Sequence, residues 1–310
     1  QIGGNQGVIV ATYYAINAGG NWTAGATWST TATKDASRTG GSTAPTASDD
    51  CIIDDYSGDV TVNANSVCKS LDCNGGGAYV GTLTFNAPFT LTVSGSVTFS
   101  TGMTVAGTGY LTIAAAGTLT SAGVDVSIGV LSLSGASAKT LNTDGTTWPY
   151  IAILSGAQTI TLSSDLQCTT LDLNGNFGSI TFAGAYDITC AQLMVGYGGT
   201  QAITLVSGQT LTVTTSLLMG CNYEHLTTLK SSTASVAAYL TYQGTVANCA
   251  VSGMAFTDID ASGSAQGIDN WYGQTLTRTT GITNRTSADI GGGGGGGGGG
   301  LPVLGGSIVR

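Results

Sequence analysis

The triplets Leu83-Thr84-Phe85, Leu91-Thr92-Val93, Val97-Thr98-Phe99, Met103-Thr104-Val105 and Leu111-Thr112-Ile113 decide the fold. In each, two large apolar residues flank a threonine. Successive side chains of an extended chain point to opposite faces, so the apolar pair shares one face and the hydroxyl takes the other. The arrangement returns at Leu131-Ser132-Leu133, Ile160-Thr161-Leu162, Ile180-Thr181-Phe182, Ile203-Thr204-Leu205 and Leu211-Thr212-Val213. In the densest part the triplets recur every six to eight residues, with Gly, Ser or Asn between them. Most gaps lack a hairpin signal such as Asn-Gly. Sandwich strands run about five to six residues with turns every 8–12. Shorter, closer strands fit a solenoid, in which each coil contributes two or three strands and coils stack strand on strand. Three triplets span roughly 20 residues, the size of a solenoid repeat. The expected fold is therefore all-β, a single-stranded parallel β-helix.

Composition agrees. Charged residues make up 8% of the 310 positions, against about 25% in an ordinary soluble domain. Hydrophobic residues make up 42%, with 49 glycines and four prolines. Thr, Ser, Asn and Gly stand in for the missing charges, and these suit turns and pleated surfaces better than helix interiors. The formal net charge is −9, from 17 acidic and eight basic residues. That sign repels phosphate backbones, and no Lys/Arg cluster offers a local exception, so nucleic acid is not an expected partner. No run reaches 18 apolar residues, so membrane insertion is not expected either.

Seven cysteines (Cys51, Cys68, Cys73, Cys168, Cys190, Cys221 and Cys249) form no CxxC pair, and His225 is the only histidine. Structural zinc needs closely spaced thiolate or imidazole pairs, which are missing. An odd number of cysteines cannot all pair within one chain. Most read as small buried core residues, with room for one bridge.

Three regions follow. Residues 1–59 form an N-terminal docking and cap segment, 60–290 the solenoid, and 291–310 a tail. A first coil needs a cover over its core, and Trp22 and Trp28 are placed to supply it. Apolar Val8, Ile9 and Val10 at one end, and Leu301, Val303, Leu304, Ile308 and Val309 at the other, are the candidate assembly residues. Ten consecutive glycines, Gly291–Gly300, precede the latter. Both a flexible linker and close glycine packing remain open for them. Within the coils, Thr61–Gly75 matches Thr161–Gly175 at six of fifteen positions without a gap, including Cys68/Cys168, Leu71/Leu171 and Asp72/Asp172. This match reads as shared coil geometry, an inward Cys and Leu before an Asp-x-Asn-Gly corner.

Candidate chemistry is sparse. Glycoside hydrolysis uses two carboxyl groups about 5–9.5 Å apart. Asp258 and Asp260, two apart on an expected strand, would share a face at about 6.5–7 Å; a solvated Asp-x-Asp is the plainer reading. Glu224, the only glutamate, adjoins His225 as a conceivable acid–base pair or an ordinary loop. Asp49, Asp50, Asp54, Asp55 and Asp59 offer hard oxygen ligands for calcium, but not in EF-hand order, and an acidic turn explains them equally. Asn21-Trp22-Thr23 and Asn284-Arg285-Thr286 fit the glycosylation acceptor pattern. Tyr13, Tyr14, Tyr110, Tyr186, Tyr197, Tyr223, Tyr239, Tyr242 and Tyr272 are candidates for stacking on sugars, with wall or cap duty expected for most.

Gly19-Gly20-Asn21-Trp22-Thr23, Ala26-Thr27-Trp28-Ser29, Ala44-Pro45-Thr46 and Asp49-Asp50-Cys51-Ile52-Ile53-Asp54 occur in that order. This segment resembles the opening of parallel β-helix proteins of bacteriophage virions, tail fibres and spikes, and of related secreted bacterial surface proteins. Met254-Ala255-Phe256-Thr257-Asp258-Ile259-Asp260-Ala261-Ser262-Gly263 is similar to their late coils, and the glycine run to their glycine-rich C-termini. The resemblance implies a structural subunit of an extracellular fibre or spike, and it carries no catalytic residue across. A secreted adhesin or surface-filament subunit is the alternative, and a polysaccharide depolymerase the second. The expected partners are further copies of the chain, as a trimer or a filament, other virion proteins, and host-surface glycans. No cofactor is expected.

The tail is the segment most open to test. Five large aliphatic residues gain roughly 1.5–3 kcal/mol each on burial, while ordering ten glycines costs at least about 1 kcal/mol each. A single contact within one chain does not offset that cost, so docking on a neighbouring subunit is expected. Deleting residues 291–310 should leave thermal melting of the coils unchanged and abolish assembly; normal assembly of the truncated chain contradicts this.

Overall fold

The structure is a computed structural model that describes residues 10–41, 43–154, 156–175, 178–196, 201–220, 226–273 and 275–286. Stacked parallel coils form a β-solenoid of about 10 turns, 50% strand and 2% helical. Two faces carry 13 strands each. The long face runs from Trp28–Ser29 and Thr12–Ala15 up to Leu276–Thr277, and the broad face from Ser66–Cys68 to Ile282–Arg285. A short face of five strands lies between Gly20–Asn21 and Asp125–Val126.

Register explains the core. Parallel strands stack about 4.8 Å apart with side chains in line, so an inward position in one coil is inward in the next. On the broad face Leu91 stands on Leu111, Leu131, Ile151 and Leu171 in successive coils. On the long face Leu71, Val97, Leu119, Leu141 and Leu162 form the matching column. All ten are at most 1% exposed, and each contributes roughly 1.5–3 kcal/mol by leaving water. The triplet threonines face outward as their period requires.

Three differences from the expected layout have physical reasons. Stacking begins at Thr12, not residue 60: Thr12–Ala15 pairs in parallel with Asp50–Ile52, and Gly20–Asn21 with Val60–Val62. The cap is therefore the excursion between these rungs, folded under a coil that already exists. The cross-section also changes along the axis. After Asp125–Val126 the short face ends, and the next coil carries one eight-residue strand, Thr147–Leu154. Its tail continues the broad face, while its head, with Trp148 fully buried, meets Cys168 of the following coil. Pro149 has no N–H to donate, and the ladder steps from Trp148 to Tyr150. Leu166–Asp172, Ile188–Val195 and Thr210–Gly220 repeat this long form before it divides again onto Ala238–Tyr242 and Cys249–Ser252. Lastly, the fifteen-residue match keeps Cys68 and Cys168 buried on the broad face but does not keep the leucines together. Leu71 lies on the long face and Leu171 on the broad one. The two copies share the inward Cys and Leu and a turn: Asp72 and Asp172 each accept the N–H two residues on, from Asn74 and Asn174, at 2.8 Å.

Corners consume many of the acids. Asp59 accepts the Thr82 N–H, Asn65 that of Thr90, Asp165 that of Asp187, and Asp187 that of Thr210, at 2.7–3.0 Å. Each bond joins a turn to the next coil where the strand ladder lapses. Gly107, at φ +108°, sits so close to the previous coil that a Cβ would lie 2.1 Å from the Phe85 carbonyl oxygen.

Under the first coil, Trp22 and Trp28 pack edge to face at 4.8 Å, and the Trp28 indole donates to the Trp22 carbonyl. Beside them Arg38 is buried and donates both terminal nitrogens to Asp54 at 2.7 and 2.8 Å. Its remaining donors reach the Thr33, Ala32 and Ala15 carbonyls, and the Tyr14 and Tyr56 rings lie 5.2 Å from the guanidinium carbon. Burial pushes the Asp54 carboxyl up, but Arg38, with hydrogen bonds from Ser57 and the Tyr56 N–H, holds it below its ordinary 3.8. Replacing Arg38 with Met leaves that carboxylate buried and unpaired, so the Arg38→Met variant should lose about 3–5 kcal/mol by denaturant unfolding. Because Asp54 is depressed in the folded state, its contribution is complete above 3.8 and vanishes as pH falls through the lower folded value. The gap between wild type and variant should therefore narrow on acidification; a constant gap contradicts the assignment.

Candidate functional site

The outward columns of the broad face carry a surface that combines aromatic rings, hydroxyls and a carboxylate. Register places Tyr110 between Thr90 and Val130, and Thr112 beside Ser132. One coil further, Ile151 stands on Leu131 and on Leu171, so Tyr150 follows Val130 in the outward column and Asp172 follows Ala152. The outward members of these columns, from Thr90 and Tyr110 to Tyr150 and Asp172, line with Pro88 and Leu154 an open groove of about 410 Å³. Tyr110 and Leu154 are each 37% exposed.

The two phenols stand two rungs apart along the axis, about 9.6 Å at the parallel spacing. Tyr150 is fixed by its hydroxyl, which donates to Asp172 Oδ2 at 2.5 Å. The other oxygen of Asp172 accepts the Asn174 N–H, so the corner turn aims the carboxylate that aims the ring. Burial, then the Asp172 hydrogen bond and charge, push the Tyr150 phenol above its ordinary 10.0. Asp172 is the only carboxylate among the lining residues, and none of them is basic. Flat aromatic surface beside Thr90, Thr112 and Ser132 hydroxyls and one carboxylate suits a ligand that is itself part apolar ring face and part hydroxyl.

The other candidates fall elsewhere. Asp258 and Asp260 do not share a strand face: Asp258 sits between strands at φ +55°. A forked pair of hydrogen bonds from Arg278, at 2.5 and 2.7 Å, occupies its carboxylate. Asp260 accepts the Thr280 hydroxyl and the Ser262 N–H. The Arg278 hydrogen bond lowers Asp258, and the Thr280 and Ser262 bonds lower Asp260. A general acid needs the opposite shift. The aspartates proposed for calcium are dispersed among protein donors. Asp49 takes Ala11 and Thr46, Asp50 takes Lys69 and Ser70, Asp54 takes Arg38, and Asp55 pairs with Lys34. Asp59 serves its corner and the Tyr79 hydroxyl. Among the described residues no three His, Cys, Asp or Glu side chains gather as a metal site.

Among the tyrosines, Tyr242 is buried and Tyr14 serves the cap, whereas Tyr186, Tyr239 and Tyr272 are exposed singly. The described cysteines are free thiols; five are buried and Cys249 is half-buried. Val10 is exposed. Val8, Ile9, Leu301, Val303, Leu304, Ile308, Val309, Glu224, His225, Cys221, Tyr197 and Tyr223 lie outside the described residues. Tyr150 and Asp172 were not legible as a pair in the sequence; the available signal was Trp148-Pro149-Tyr150, an aromatic pair around a strand-interrupting proline.

Comparison with protein-family models, with curated proteins and with solved structures returns no match.

The phenol–carboxylate bond has a direct spectroscopic consequence. In an ultraviolet pH titration Tyr150 should ionise above the ordinary phenol value of 10.0, and Asp172→Asn should bring it back toward that value by removing the adjacent charge. An unchanged titration curve in Asp172→Asn contradicts this geometry.

Proposed function

We propose that the chain is a structural subunit of an extracellular fibre or spike, of the phage virion kind, whose broad face attaches to host-surface glycans. The observation that carries this reading is the groove holding Tyr110 and Tyr150 on an uninterrupted β-solenoid. A stack of coils keeps outward groups at fixed intervals over a long distance, which is what an extended repeating ligand requires. Two rings two rungs apart offer stacking platforms for two sugar units of one chain. The hydroxyls between them supply donors and acceptors, and Asp172 accepts from sugar hydroxyls. With Asp172 in the groove and a net charge of −9, neutral glycans are favoured over acidic ones. The adhesin reading uses the same groove and differs in the particle that carries it.

The test is calorimetric titration of the full chain with a panel of neutral bacterial exopolysaccharides. Tyr110→Ala and Tyr150→Ala are each expected to weaken binding at least about tenfold, the loss of one stacked ring at roughly 1.4 kcal/mol. Leaving Tyr239 as an exposed control, Tyr239→Ala should change nothing. Equal binding by wild type and the Tyr110→Ala/Tyr150→Ala double variant overturns the groove assignment. Assaying the same mixtures for new reducing ends separates attachment from depolymerisation.

A further inference from the structure

Cys168 and Cys190 stand opposite one another in adjacent coils of the broad face, and both are buried in the core. Parallel neighbours lie about 4.8 Å apart, inside the Cα window of roughly 4.4–6.8 Å that a disulfide spans. The coil before Cys168 puts Trp148 in this column, and the coil after Cys190 puts Val213 there. Each sulfur therefore has the other as its reactive neighbour along the column. The register with the next coil shifts just after Cys190, with the extra residue between Val213 and Ser216, while the pairing of Cys168 with Cys190 stays in register. Cys51, Cys68 and Cys73 share one end of the core; the Cys51 and Cys68 side chains meet there, but from different faces, and no register joins any two of the three.

We propose that Cys168 and Cys190 are a coil-to-coil disulfide site, closed by a small-molecule disulfide such as oxidised glutathione. One protein thiolate attacks a glutathione sulfur, the glutathione S–S bond breaks, and one glutathione thiolate leaves. The second protein thiolate attacks the protein sulfur of the mixed disulfide, forming the Cys168–Cys190 bond and expelling the second glutathione thiolate. The two protein thiols together lose two electrons and two protons; the oxidant becomes two thiols. Burial pushes the Cys190 thiol up to about 12 and raises Cys168 well above its ordinary value. Thiolate is scarce in the closed coil, so closure belongs to folding or to local opening. Once formed, the bond closes a whole coil into a loop and restricts the unfolded chain.

The experiment is to refold the purified full chain in mixed oxidised and reduced glutathione, trap free thiols by alkylation, and map peptides by mass spectrometry. The expected result is a Cys168–Cys190 linked peptide, lighter by two hydrogens than its parts, and a melting temperature that falls when a thiol reductant is added. Cys190→Ala should lack the reductant response. The wild-type map stands even where that variant folds poorly. Both residues recovered as alkylated free thiols, or Cys168 joined to any cysteine other than Cys190, overturns the proposal.

Discussion

Everything in this molecule depends on the backbone hydrogen bonds between one coil and the next. They fix the coil spacing at about 4.8 Å and force equivalent residues of successive coils into line. A substitution is therefore judged by the two residues above and below it. Apolar residues at inward positions give continuous columns such as Leu91–Leu111–Leu131–Ile151–Leu171, and a single inward polar group interrupts one. Lys139 is the instructive exception. It points into the core at 1% exposure, its amine donating to the Ser137 and Gly135 carbonyls and to Gln158. Burial lowers its pKa.

The same constraint explains the odd composition. Corners are where strand ladders lapse and backbone donors need other acceptors. A short carboxylate or carboxamide reaches one coil up, whereas a glutamate is a methylene longer, and Glu224 is the only one in the chain. Asp59, Asn65, Asp165 and Asp187 do this work. The low charge is thus not an absence of polar function: acids are spent on backbone geometry and on a few ion pairs such as Arg38–Asp54 and Arg278–Asp258. That spending removes Asp54 and Asp258 from metal or acid–base chemistry.

How far the sequence reaches follows from which residues act locally. Leu83-Thr84-Phe85 and its relatives declare their inward and outward sides by period two alone, and the solenoid was legible from them. The fusion of short and broad faces at Thr147–Leu154 was not, because it depends on Trp148 filling the core against Phe99, 6.4 Å away and two coils distant in sequence. The groove inherits that difficulty. Tyr110 was visible as an outward aromatic, but Tyr150 comes outward only because two residues, not one, separate the inward Trp148 from the inward Ile151. Asp172 resembled Asp72 so closely that its second task, holding Tyr150, was hidden. Asp258 and Asp260 show the converse: a two-residue spacing implies a shared face only if the chain is extended there, and Asp258 is not.

A continuous stack predicts shared protection, since opening one inner coil strips partners from both neighbours. Amide hydrogen exchange read by peptide mass spectrometry tests this directly. The strands from Val97–Thr98 to Gln201–Leu205 should exchange as one slow class, with faster exchange at the cap excursion and the corners. Fast exchange in Thr147–Leu154 or Leu166–Asp172, while the coils on both sides stay protected, would contradict a single uninterrupted solenoid.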